Sequence, residues 1–146
     1  IGVRLVGSEM CIRDRASAEW LAGIDGYDLV LLDLPLGMAP VIPCRRLLVV
    51  NADANCHVRL HRHPWAADER LLVTQFSSQR ALQQGLLDLW LAGGLPLLNL
   101  HLHRDEAMAE AMAAKLPVGR YAPTSLVAHE LAALATWCLA EGEVPR

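Results

Sequence analysis

From Ala16 onward, short aliphatic bursts alternate with longer stretches whose apolar residues recur every three or four positions. Residues 29–32 form the first burst, between Gly26 and the pair Pro35 and Gly37, and residues 47–50, 71–73 and 97–100 form three more. Each burst has strand length and lacks the polar alternation of a half-exposed sheet, so the pattern predicts parallel strands covered on both faces. Residues 78–91 read as a helix with Leu82, Leu86, Leu89 and Trp90 on one stripe and a stop at Gly93-Gly94. Residues 105–115 read as a second, opened by Asp105 and Glu106 and closed by Lys115, in keeping with the helix dipole. Residues 125–141 read as a third, capped by Ser125, with Leu131, Leu134, Ala135 and Cys138 along one side and Gly142 at its end. Strands alternating with helices predict an α/β fold: three layers around a mostly parallel sheet.

Composition sharpens this picture. With 53% hydrophobic and 20% charged residues among 146, the chain is apolar enough for one domain with a doubly covered sheet. No apolar run reaches the roughly 18 residues that a bilayer span needs, so a cytoplasmic protein is expected. A net charge of −3 gives no global attraction to nucleic acid or anionic lipid. Cys11, Cys44, Cys56 and Cys138 are too scattered for a disulfide framework or zinc ribbon, so reduced thiols are expected.

Residues 1–15 differ in kind. Val6-Gly-Ser-Glu-Met-Cys-Ile-Arg-Asp-Arg15 resembles a translated sequencing adapter, and fold reasoning sets such segments aside. The expected organisation is therefore a non-native segment at 1–15 and, over 16–146, the C-terminal part of a domain whose earlier strands are missing.

The strongest local motif is Tyr27-Asp-Leu-Val-Leu-Leu-Asp33-Leu-Pro35-Leu-Gly37. An aliphatic strand ending in Asp places a rigid carboxylate at the sheet's C-terminal edge, where α/β folds bind ligands. There it can orient a magnesium-bound or attacking water, as in a Walker B element. A turn-capping aspartate is the competing reading.

This stretch is similar to the switch region of MinD/ParA-type P-loop ATPases. The run Leu102-His-Arg-Asp-Glu-Ala-Met-Ala-Glu-Ala-Met-Ala-Ala-Lys-Leu-Pro-Val-Gly119 resembles the late strand, loop and helix of that superfamily. Asn51-Ala-Asp-Ala-Asn-Cys-His-Val-Arg-Leu-His61, Arg104 to Glu110 and Ala135-Thr-Trp-Cys-Leu139 look specifically like its BcsQ branch, from cellulose biosynthesis. The resemblance spans about 27–139 and implies a P-loop NTPase fold truncated at its N-terminus. It implies ATP and Mg²⁺ as ligands, with nucleotide acting as a switch for dimerisation and assembly. The implied partners are a second copy, a small BcsR-like subunit and the cellulose synthase complex, through which membrane association would be indirect. Asp33 would be the Walker B or switch carboxylate, the catalytic residue of the site, and Pro35 would follow it in the nucleotide site. His103, standing where many relatives have proline, Arg104 and Asp105 would lie near the base. Thr74 and Gln75 stand where many relatives carry an adenine-reading asparagine. No Gly-x-x-x-x-Gly-Lys-Ser/Thr occurs in the chain, so the polypeptide as it stands is not expected to hydrolyse ATP. A partition or cell-division ATPase, and a non-catalytic interaction module, are the rival readings.

Other signals carry less. Cys56, His57, His61 and His63 form the most metal-like grouping, but all come from one short stretch ending at Pro64, and a polar contact surface is the preferred reading. His101 and His103 share one side of a strand end. Arg45, Arg46, Arg59 and Arg62 read as solvated surface, so no specific nucleic-acid partner is expected.

Overall fold

The structure, a computed structural model, describes residues 23, 26–34, 38, 40 and 42–140. The chain divides into two units, residues 1–44 and 45–146. In the first unit, residues 27–34 form neither helix nor strand, and Leu29, Val30 and Leu31 are exposed. This corrects the expected strand at 29–32. A strand is a property of a pair, and aliphatic content alone makes no ladder without a neighbour to share backbone hydrogen bonds. The segment proposed as an adapter lies outside the described residues.

The second unit holds three parallel strands in the order β1-β2-β3. These are β1 (Arg46–Asn51), β2 (Glu69–Phe76) and β3 (Leu97–His103). Parallel strands need a crossover between them. Here α1 (Ala54–Leu60) links β1 to β2, and α2 (Ala81–Ala92) links β2 to β3. After β3 come α3 (Glu106–Ala113), the single turn α4 (Val118–Tyr121) and α5 (Leu126–Ala140). An α/β fold with a parallel sheet is what the pattern predicted.

The register of β1 on β2 sets Leu48 beside Leu71 and Val50 beside Val73. These side chains pack with Leu60 of α1 and with Leu86 and Trp90 of α2 into the main core. Burying each such side chain contributes roughly 1.5–3 kcal/mol. On the opposite face of β2, Leu72 is buried, but its neighbour Val49 on β1 is 58% exposed. The second face is therefore covered over the central strand and open at the edge. A smaller cluster joins Ala111 of α3, Val118 of α4 and Val127 of α5, with Leu131 packed against it.

Two helix ends show how local sequence stops an element. At the end of α2, Gly94 adopts φ 70°, its N–H donates to the Leu91 carbonyl and the Leu95 N–H donates to that of Trp90. This is a Schellman closure, and glycine adopts its left-handed position without penalty. The same closure ends α3 with Lys115 at φ 55°. The buried stripe of α2 differs from expectation: Gln83, Leu86 and Trp90 face inward, while Leu82 and Leu89 are exposed. Gln83 displaces the leucine because the turn after β2 needs its amide. Its Oε1 accepts from the Ser77 N–H at 2.8 Å, and its Nε2 reaches toward the Gln75 carbonyl at 3.4 Å. On α5 Val127 and Ala128 are the buried positions, and Ala135, placed on the stripe by periodicity, is exposed.

Candidate functional site at the C-terminal edge of the sheet

The C-terminal ends of all three strands carry polar or imidazole side chains, and in an open parallel sheet this is the edge that receives ligands. Beyond β1, the Asp53 carboxylate accepts from the Cys56 N–H at 2.8 Å and starts α1. Thr74 Oγ1 shares its proton between the Val50 carbonyl (3.2 Å) and Asn51 Oδ1 (3.0 Å), tying β2 to β1. The Thr74 hydroxyl is thus committed to the sheet, and Gln75 is the side chain of the pair that reaches solvent.

Gln75 sits at φ 52°, in the left-handed region that side chains other than glycine and asparagine rarely adopt. The β2–β3 register shifts between Val73 and Phe76, so the strained residue lies within an irregularity of the ladder. Gln83 holds the following turn from below. Strain of this kind persists only where surrounding structure enforces it, and it concentrates at ligand-binding positions.

On β3, the His101 and His103 rings lie with centroids 4.8 Å apart, and Phe76 stands 4.6 Å from the first and 5.4 Å from the second. Burial holds the His101 imidazole below its usual pKa, the His103 charge adds to this, and Glu130 opposes it. Glu130 reaches across from α5: Oε2 accepts the His103 backbone N–H at 2.8 Å, and Oε1 lies in close contact with His103 Nδ1. The Arg104 N–H donates to the Phe76 carbonyl at 2.9 Å, continuing the ladder by one residue. Asp105 caps α3, its Oδ1 accepting from the Ala107 N–H at 2.9 Å, while Oδ2 lies 3.4 Å from the Val127 N–H at the start of α5. One oxygen therefore caps α3 and the other reaches toward α5.

The structure thus brings Thr74, Gln75, His103, Arg104 and Asp105 to one edge, with Gln75 and Arg104 exposed. Asp33 is exposed in the first unit, and Pro35 lies outside the described residues. Among the described residues no three His, Cys, Asp or Glu side chains converge to hold a metal ion, and no helix is long and apolar enough to cross a membrane. Within the metal-like grouping, His57 Nδ1 accepts the indole N–H of Trp90 at 3.0 Å and packs edge-on against His61 at 4.5 Å. Sequence reasoning missed Glu130 and Gln83. The signal for Glu130 was present: it is the only acidic residue in the apolar helix α5.

With this geometry in view, comparison with known proteins is decisive. The family pattern of cellulose biosynthesis protein BcsQ matches residues 8–139. The chain belongs to the BcsQ family. Cellulose biosynthesis protein BcsQ of Salmonella typhimurium (strain LT2) is 43% identical over 119 residues, which cover 77% of this chain and 48% of that protein. The putative cellulose biosynthesis protein BcsQ of Escherichia coli K12 is 40% identical over the same length, covering 77% of this chain and 49% of its own. The chain therefore spans about half the length of the curated BcsQ relatives it matches.

Proposed function

We propose that this chain is the base-proximal half of a nucleotide-responsive accessory protein for bacterial cellulose production. The observation that carries this reading is the edge just described. An exposed glutamine in a strained backbone, an exposed arginine and a packed imidazole and phenyl cluster lie together where open parallel sheets bind ligands. The named role of its BcsQ relatives supplies the pathway. These groups suit the adenosine end of ATP: Gln75 and Arg104 offer hydrogen bonds, and the half-buried His101 and His103 rings lie beside them over Phe76. The phosphates call for a glycine-rich loop that the sequence does not contain. Asp33 is the residue that would hold Mg²⁺ or its water. Bound ATP supplies a charged, bridging ligand, and if it favours one conformation it shifts the protein toward a dimer able to engage a BcsR-like subunit and the cellulose synthase complex.

The test is genetic. Deleting the complete gene from its host should abolish cellulose secretion, and the wild-type gene should restore it. A gene altered by Asp33→Ala should restore less than about a tenth, the scale of effect expected when a metal-orienting carboxylate is lost. Undiminished cellulose in the deletion strain would overturn the pathway assignment.

A further inference from the structure

Gln75 alone is a poor reader of a purine. Its amide carries both a donor and an acceptor and can rotate to match either an amino or an oxo group. His103, its near neighbour on the adjacent strand, is constrained differently. An ionised carboxylate only accepts hydrogen bonds, so the Glu130 oxygen against His103 Nδ1 requires the proton to reside on Nδ1. The second Glu130 oxygen takes the His103 backbone N–H at 2.8 Å, which fixes the carboxylate relative to the strand. The side chain of Glu130 is 12% exposed, and Phe76 and His101 pack beside the His103 ring. Both ring plane and tautomer are therefore set from outside the ring. In the neutral imidazole Nε2 is then a lone-pair acceptor, and among the described residues nothing donates to it.

We propose that His103 Nε2 is a base-selecting acceptor, and that Glu130 is the positioning residue that makes it one. The inference rests on the nucleotide-site reading above and adds a preference to it. An acceptor at this edge receives the exocyclic amino group of adenine, which donates, and repels the oxo group of guanine, which accepts. The preference belongs to the neutral ring, because a doubly protonated imidazole would present a donor instead.

The isosteric change Glu130→Gln makes this testable. The His103 backbone N–H can only donate, so it claims the amide oxygen of Gln. The amide NH₂ then faces Nδ1 and forces the ring proton onto Nε2, turning the acceptor into a donor without altering side-chain volume. Two readouts follow. The first is nitrogen-15 NMR of histidine-labelled chain at about pH 8, above the ordinary imidazole range. It should show His103 protonated at Nδ1 in the wild type and at Nε2 in E130Q. The second is displacement of a fluorescent ATP analogue from the full-length protein by ATP and by GTP. Wild type should favour ATP by about tenfold, as expected for one hydrogen bond gained against one repelled. E130Q should bring the ratio to parity or below, with circular dichroism unchanged, and His103→Ala should leave no preference. An Nε2–H tautomer in the wild type, or an ATP-to-GTP ratio that E130Q does not move, overturns the proposal while leaving the nucleotide reading intact. Failure of the wild-type protein to bind either nucleotide overturns both, and so separates the two claims.

Discussion

Replacing Trp90 by alanine is expected to destabilise the chain by about 3–5 kcal/mol, the range for truncating a buried aromatic side chain. Trp90 is 1% exposed and is among the largest fully buried side chains. It packs with Leu71, Val73 and Leu60, so it joins α2 both to the sheet and to α1. Its indole N–H has a partner as well, donating to His57 Nδ1 at 3.0 Å. Trp90→Phe separates the two contributions. It retains most of the volume and loses the donor, and should cost about 1 kcal/mol for the hydrogen bond plus a small packing loss. Urea unfolding followed by circular dichroism measures both. A loss below about 1 kcal/mol for the alanine variant would show that the α2 face described above is not the core.

The second large effect is expected at the opposite, N-terminal edge of the sheet. Glu69 is 5% exposed, and its carboxylate gathers three donors. Oε2 accepts from His63 Nε2 at 2.8 Å and from the Ala66 N–H at 3.1 Å, while Oε1 pairs with the Arg46 guanidinium at 3.0 Å. Glu69→Ala removes the acceptor of His63 and of the Ala66 N–H, while Arg46 keeps its pairing with Asp68, and should cost about 1–3 kcal/mol. Burial pushes the Glu69 carboxyl upward, but the Ala66 and His63 hydrogen bonds and the His63 and Arg46 charges together outweigh it and hold the pKa below the usual glutamate value. A depressed folded-state pKa stabilises the protein above the unfolded value, about 4.3, and the contribution disappears as pH falls through the folded value. Wild type should therefore lose stability on acidification below about pH 4.3, and Glu69→Gln should lose less over that window. Parallel unfolding curves for the two proteins from neutral to acid pH would contradict the assigned role of the carboxylate.

The central strand was legible because burial on both faces leaves a contiguous aliphatic run at 71–73, and the flanking strands because leucine and valine dominate 47–50 and 97–100, although Val49 and Asn99 are exposed. Their true ends were less so. β2 begins at Glu69 and β3 continues to His103, since polar and imidazole residues satisfy the ladder as well as aliphatic ones do. The run at 29–32 has the same composition and forms no strand, because composition does not specify a partner. Helix α1 was invisible to periodicity: Ala54–Leu60 has no apolar stripe, and its start depends on the Asp53 cap. On α2 the apolar count favoured Leu82, but the Ser77 N–H needed Gln83, and satisfying a backbone donor prevailed over burying one more leucine. The site was legible in the same uneven way. Motif resemblance drew attention to Gln75, His103, Arg104 and Asp105, which the fold gathers at one edge. Glu130 stands 27 residues from His103 in sequence, and only the docking of α5 reveals their contact.

Whether this edge serves a nucleotide is decided by titrating the full-length protein with a fluorescent ATP analogue, with and without Mg²⁺. Saturable, magnesium-dependent binding is expected, which Asp33→Ala weakens and Glu130→Gln shifts in base preference while leaving the fold intact. A flat titration, with well-folded protein at concentrations up to the millimolar range, would contradict a nucleotide role.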